Sequence, residues 1–310
     1  MAPLSFPSRR STVMARHGMV ATSQPLAAMA GLRILLDGGN AADAAIAVAA
    51  MLNVVEPMST GIGGDCFALF YAAETGQVTA LNGSGRAPAA LGLEEARRLG
   101  LESIPLSGPL SVTVPGTVSG WAALVERFGR LTLAECLAPA IATAEEGFPV
   151  SERISTAWQR VEEKLSQNEE AKRVYLPAPR PGEIHRQPDL ARTLRAVAEG
   201  GAEAFYRGPL AARVADCVQA RGGYLTAEDL AAHTATWETP IRTTYRDVEV
   251  LEHPPNGQGL AALLALNIVE GYDLGDRDYF DPQRWHVMIE ALRLGMVDAA
   301  RYVADPAVVD

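Results

Sequence analysis

Two glycine-rich segments, Gly61-Ile62-Gly63-Gly64-Asp65 and Asn82-Gly83-Ser84-Gly85-Arg86-Ala87-Pro88, hold the residues of this chain best suited to chemistry. Glycine lacks a Cβ, so such segments let backbone approach backbone or ligand where another residue would clash. The second segment delivers one arginine, Arg86, beside two short hydrogen-bonding side chains, Asn82 and Ser84. A guanidinium among amide and hydroxyl groups suits an anionic ligand, because it can grip a carboxylate with two parallel hydrogen bonds. Asn82, Ser84 and Arg86 are therefore the candidate substrate-binding residues. A structural ion pair is the alternative for Arg86. Asp65 reads either as a cap on the strand that follows or as part of the pocket wall. The Gly61–Gly64 segment is not a nucleotide loop, since no Gly-Lys-Ser/Thr follows and no helix opens on it.

Other reactive residue types are scattered. Cys66, Cys136 and Cys217 lie far apart with no Cys-x-x-Cys, and read as small buried hydrophobes. His17, His185, His233, His253 and His286 have no partners at ligand spacing and read as solvated or satisfied. No metal site and no cofactor is expected.

The elements that must position the candidates follow from local signals. Pro25 stands in the first turn of a helix that Gly38-Gly39 ends, and Asn40 caps a second helix over 41–52. That second helix is mostly alanine with Asp43 its one charge, and is expected to be buried against a sheet. Cys66–Tyr71 and Gln77–Leu81 read as two strands joined at Glu74-Thr75-Gly76, so the two glycine segments bracket one hairpin. Helices are expected over 119–128 and from Thr132-Leu133 to Glu146, and 151–220 is largely helical with a break at 177–181. Thr226 caps a short helix, Tyr245–Leu251 is strand-like, and helices over 260–269 and 284–303 complete the chain. No repeat or linker interrupts this alternation, so 1–310 is expected to form a single α/β domain.

At 310 residues with 48% hydrophobic content the chain can bury a sizeable core, and at 6% aromatic content alanine, leucine and valine must fill it. A formal charge of −10 argues against a nucleic-acid partner, which needs a basic face. Met1 to His17 is polar and basic without an apolar core of signal-peptide length, and no run of about 18 apolar residues follows. A cytoplasmic location without membrane contact is the expectation.

Several short motifs, in order, carry a resemblance. Gly38 to Ala45 reads Gly-Gly-Asn-Ala-Ala-Asp-Ala-Ala, followed by Val55-Glu56-Pro57, Gly61 to Gly64, Val114-Pro115-Gly116-Thr117-Val118, Gly223-Tyr224-Leu225-Thr226 and Pro254 to Gly259. Each alone is weak, but their order resembles the large-subunit portion of the gamma-glutamyltransferase (gamma-glutamyltranspeptidase) family across nearly the whole chain. The resemblance implies an α/β fold of the N-terminal-nucleophile hydrolase type, an αββα sandwich, and an amide-bond hydrolase or acyl transferase such as a glutathione hydrolase. It further implies an autoprocessed zymogen in which a threonine, freed as a new N-terminus, attacks with its own amine as base. That threonine is expected beyond residue 310 on a small subunit, so no catalytic residue is expected here and the chain alone should be inactive. The Arg242-Thr243-Thr244-Tyr245 run mimics the cleavage point, but it aligns with a strand before the Pro-Pro turn and its threonines are ordinary strand residues.

The resemblance is looser at the binding segment. Gamma-glutamyl enzymes carry Arg-Glu-x-Ala-Pro. Aligned on Ala87-Pro88, their arginine position holds Ser84, and Arg86 lies two residues on, which along a strand keeps the same face. Gly83-Ser84-Gly85-Arg86-Ala87-Pro88 looks more like the acylase and small acidic amide (oxamate-type) amidohydrolase branch. The expected partners are a small amide substrate, the nucleophile-bearing small subunit and further copies of that heterodimer. A non-catalytic truncated homologue is the alternative. Because the family's central strands come from both subunits, an unpaired apolar strand edge is expected here.

Overall fold

The computed structural model describes residues 11–275 and 278–305. In chain order its helices are α1 Pro25–Leu36, α2 Ala41–Val55, α3 Leu93–Arg98, α4 Thr117–Phe128, α5 Leu133–Glu146, α6 Glu152–Gln159, α7 Glu162–Ser166, α8 Glu169–Tyr175, α9 Pro188–Tyr206, α10 Pro209–Gln219, α11 Ala227–Ala231, α12 Gly259–Glu270 and α13 Pro282–Tyr302. The strands are β1 Cys66–Ala72, β2 Gln77–Gly83, β3 Phe148–Pro149, β4 Ile184–His185, β5 Thr236–Glu238, β6 Ile241–Tyr245 and β7 Val248–Glu252. Contacts divide the chain into two compact units, with boundaries at Gly61/Ile62, Arg127/Phe128 and Ala198/Glu199.

The unit holding α1 and α2 is built on helix caps. The Gln24 side chain accepts the Leu26 and Ala27 N–H groups at the start of α1. Asn40 caps α2 in a reciprocal box with Asp43, whose carboxylate also accepts the Arg130 and Leu131 N–H groups. These bonds explain how a carboxylate can be wholly buried in an alanine helix. A methyl on Gly31 would lie 2.6 Å from Val48 Cγ2, so glycine there lets α1 and α2 approach closely. The expected sheet partner of α2 is not what it meets in its unit. It packs on α1 and α5, because small residues on all sides suit helix neighbours as well as a sheet.

In the other unit β1, β2 and β5 form an antiparallel sheet in that order, with Gly76 at φ +70° in the hairpin turn. Asn82 of β2 pairs with Thr236 of β5, and Ala80 with Glu238. Among the described residues β1 is an edge strand of this sheet, and Phe67, Leu69 and Tyr71 on one of its faces are exposed. Of the expected strand over 245–251, residues 248–251 lie in β7 and Tyr245 ends β6, while the two residues between them form the turn of a second hairpin. Arg246 and Asp247 take φ of 50° and 64°, joining β6 to β7. That pair of left-handed residues matches the twist of a two-residue hairpin. α12 packs on this hairpin and on α13, where Gly295 admits the Ala261 carbonyl. The cores are filled mainly by Ala, Val and Leu, with aromatics such as Trp121, Trp158, Phe148 and Phe205 buried among them. Among the described residues no helix is long and apolar enough to cross a membrane.

Candidate active-site cavity

The segment after β2 is held by its own glycines. A methyl on Gly85 would lie 1.4 Å from the Val114 carbonyl oxygen, and one on Gly116 would lie 1.9 Å from the Gly83 carbonyl oxygen. Val114 N–H donates to the Arg86 carbonyl at 3.0 Å, and the Gly116 and Thr117 N–H groups both donate to the Gly64 carbonyl at 2.9 Å. Asp65 joins the two glycine segments, since its Oδ1 accepts the Gly85 N–H at 3.3 Å and its carbonyl accepts the Thr117 hydroxyl. The Val-Pro-Gly-Thr motif and the Gly-Ser-Gly-Arg motif are thus two sides of one backbone contact.

This packing sets Asn82, Ser84 and Arg86 at one cavity of about 520 Å³, lined also by Gly85, Ala87, His233, Thr234, Thr236, Glu238, Asn256 and Asp305 among others. The three sequence candidates are therefore together. β2 ends at Gly83, so the expectation that Ser84 and Arg86 share a strand face does not apply; the segment reaches the cavity without being a strand. Ser84 Oγ donates to Asn82 Oδ1 at 2.8 Å, Asn82 Nδ2 donates to Asn256 Oδ1 at 3.1 Å, and Asn256 Nδ2 donates to Ser84 Oγ at 3.0 Å. Asn82 Nδ2 also reaches Glu238 Oε1 at 3.1 Å, which accepts the Thr236 hydroxyl as well. The result is a closed polar ring that fixes each amide and hydroxyl in place. Arg86 stands apart from it, 77% exposed at its side chain, with Nη1 at 3.8 Å from Asp305 Oδ2.

Sequence reasoning did not find Asn256, Glu238, His233 or Asp305. Asn256 lies in the Pro-Pro-Asn-Gly turn, whose motif was visible although its side chain's role was not. Glu238 is brought to Asn82 by a strand pairing across 156 residues, which has no local signal. His233 departs from the solvated-or-satisfied expectation: its Nε2 is buried without a partner, as is His185 Nε2 in the other unit. Burial lowers the His233 pKa, the Asp65 carboxylate opposes this, and the Arg86 guanidinium adds to it. The two ring nitrogens of His253 lie 2.9 and 3.0 Å from the Pro254 and Leu81 carbonyl oxygens, either of which can accept from a ring N–H, while His17 and His286 are exposed.

Behind the cavity Tyr206 donates to the Pro115 carbonyl and accepts the Ser119 N–H, and burial pushes its phenol above the ordinary range. Burial, helped by Asp65, raises the Cys66 thiol to about 11, and burial with Asp43 and Glu135 raises Cys136 to about 12, so neither is a poised thiolate. Cys217 corrects the expectation of a buried thiol. It is exposed on α10, beside the Arg221 guanidinium. Thr243 lies on β6 and donates to Asn267, and Thr244 is exposed on the same strand. Among the described residues no group of three or more His, Cys, Asp or Glu could hold a metal ion. A hollow of about 510 Å³ in the other unit, lined by Glu162, Glu163, Ser166, Lys172, Leu176 and Pro177, contains none of the candidates.

Comparison with known proteins places this geometry in a family. The chain is 40% identical over 305 residues to the glutathione hydrolase-like YwrD proenzyme of Bacillus subtilis, covering 96% of this chain and 57% of that protein. Among solved structures, cephalosporin acylase from Bacillus halodurans is similar at a TM-score of 0.90 and 46% identity, over 99% of this chain and 58% of the other. The Helicobacter pylori gamma-glutamyltranspeptidase structure is similar at a TM-score of 0.90 and 30% identity, over 97% of this chain and 88% of that one. The chain thus spans little more than half the length of the curated relative, and shares with these structures the large-subunit part of an α/β N-terminal-nucleophile hydrolase fold. The family model described as Gamma-glutamyltranspeptidase matches residues 27–310, and the chain belongs to that family.

Proposed function

We propose that this chain forms the substrate-anchoring part of an amide-bond hydrolase or acyl transferase, similar to the gamma-glutamyltransferases and glutathione hydrolases. Its nucleophilic threonine would stand on a small subunit outside these residues. One observation carries the reading: an exposed guanidinium, Arg86, at a cavity whose wall is the fixed ring of Asn82, Ser84 and Asn256. Arg86 would take the carboxylate of the acyl donor through its planar fork, and the ring would meet the donor's polar atoms without first having to order itself. Binding and orientation are this chain's share of the reaction. Attack on the amide carbonyl would belong to the threonine, with its own amine as base.

Two donor classes compete. The position of Arg86, two residues before Pro88, and the 46% identity to a cephalosporin acylase favour a carboxylate-bearing acyl group with no required α-amine. The glutathione hydrolase-like relative favours a gamma-glutamyl donor. Hydrolysis of glutaryl anilide, its neutral monomethyl ester and gamma-glutamyl anilide by the complete protein separates them. Preference for both acids over the ester supports the anion-holding cavity, and the ratio of the two acids names the branch. Equal turnover of acid and ester would overturn the reading. The 310-residue chain alone should turn over none of the three. Turnover by it, abolished by changing one of its own residues, would place the nucleophile here instead. The cytoplasm remains our proposed compartment, to be checked by fractionation.

A further inference from the structure

We propose that Asp305 is a tethered competitor for Arg86, so that a carboxylate ligand enters the cavity by taking the place of the Asp305 side chain. The inference rests on the reading of Arg86 as the anion-holding residue. Asp305 follows the end of α13, and its Oδ2 lies 3.8 Å from Arg86 Nη1 with both side chains lining the cavity. At 77% and 52% exposure, neither side chain is locked in place by burial. An exposed pair of this kind contributes little, so exchanging it is easy. A ligand carboxylate laid across the guanidinium with two parallel N–H···O bonds is the stronger partner. Two other acids lie nearby, and Glu238 keeps its Oε2 buried without a hydrogen-bond partner. Glu238 Oε1 accepts from Asn82 and Thr236, and Asp65 Oδ1 accepts from Gly85.

The consequence is charge selectivity set by an acid of the same chain. A neutral ligand leaves the Arg86–Asp305 pair intact, whereas an anionic one must displace it. Removing the Asp305 charge should therefore favour anions specifically.

Calorimetry on the complete protein, with glutarate and neutral glutaramide as probes, tests this. Asp305→Asn should raise the preference for glutarate over glutaramide by about two- to fivefold, the range of an exposed ion pair. Asp305→Glu should keep the parent preference, because it restores the charge. Adding Asp305→Asn to Arg86→Ala should bring no further change. An unchanged or reduced preference in Asp305→Asn, with its melting temperature preserved, overturns the proposal, as does a gain that persists without Arg86. If Arg86→Ala leaves the glutarate preference intact, the anion-holding reading itself fails and takes this inference with it.

Discussion

A methyl group added to Gly85 would sit 1.4 Å from the Val114 carbonyl oxygen, whereas one added to Gly61 or Gly63 would meet no atom within 4 Å. The two glycine-rich segments flank the same β1–β2 hairpin and look alike as sequence. The second is locked: backbone touches backbone at Gly83, Gly85 and Gly116, and the polar ring closes over it. The first contributes the Gly64 carbonyl and the Asp65 carboxylate to that lock while Gly61 and Gly63 face open space. Glycine content alone therefore does not identify a cradle. What identifies it is whether something already occupies the space where a Cβ would be.

The sharpest break of this comparison is a pair of substitutions. Gly85→Ala forces the Val114 backbone to move and should cost roughly 3 kcal/mol or more of stability, at the upper end of overpacking penalties. Gly63→Ala should stay within about 0.5 kcal/mol, since its φ lies outside the left-handed region and its surroundings are open. Thermal melts of the two variants decide it. Comparable losses would mean that the first segment is as tightly held as the second.

Arg86→Ala comes next and acts on binding rather than on the fold. Its ion pair with Asp305 is exposed, so the melting temperature should scarcely move. Affinity for a carboxylate donor should fall roughly tenfold or more, because a charged hydrogen bond in a partly dry pocket is worth about 1.5–3 kcal/mol. Arg86→Lys should recover only part, as an ammonium lacks the planar fork. Equal KM increases for acid and ester donors, with a drop in melting temperature, would return Arg86 to a purely structural role.

Asn82→Ala is expected to be milder. It removes the amide that joins Ser84, Asn256 and Glu238, and should cost about 1–2 kcal/mol through the partners left unpaired. It should also raise KM for acid and ester donors alike, which separates the ring's orienting role from the charge of Arg86. An effect confined to the acid donor would count against that division.

The legible and illegible parts of the molecule divide by distance along the chain. Asn40 and Thr226 could be read as helix caps because the N–H groups each one accepts lie only two or three positions away. The β1–β2 hairpin was legible from its turn glycine. The β6–β7 turn was not, since Arg246 and Asp247 adopt a conformation that Gly and Asn usually signal. Arg86, Ser84 and Asn82 were found because they share one short segment. Asn256, Glu238, His233 and Asp305 reach the same cavity from distant segments: Glu238 through the β2–β5 pairing, Asn256 from the Pro-Pro turn, and His233 and Asp305 from the stretches after α11 and α13.

The smallest expected effect uses His233 to compare the charges of the two segments. Burial lowers its pKa, so between the ordinary value of 6.5 and the lowered folded value the unfolded chain binds more protons. Stability should therefore rise with pH through that window, be complete above about 6.5, and fall as the medium is acidified below it. Asp65, from the first segment, raises this pKa and Arg86, from the second, lowers it. Asp65→Asn should thus move the His233 titration to lower pH, and Arg86→Ala should move it to higher pH, both followed by NMR of the imidazole. His233→Gln should flatten the acid limb of the stability curve. Shifts of the same sign in the two variants would show that the two segments do not act on His233 as opposed charges.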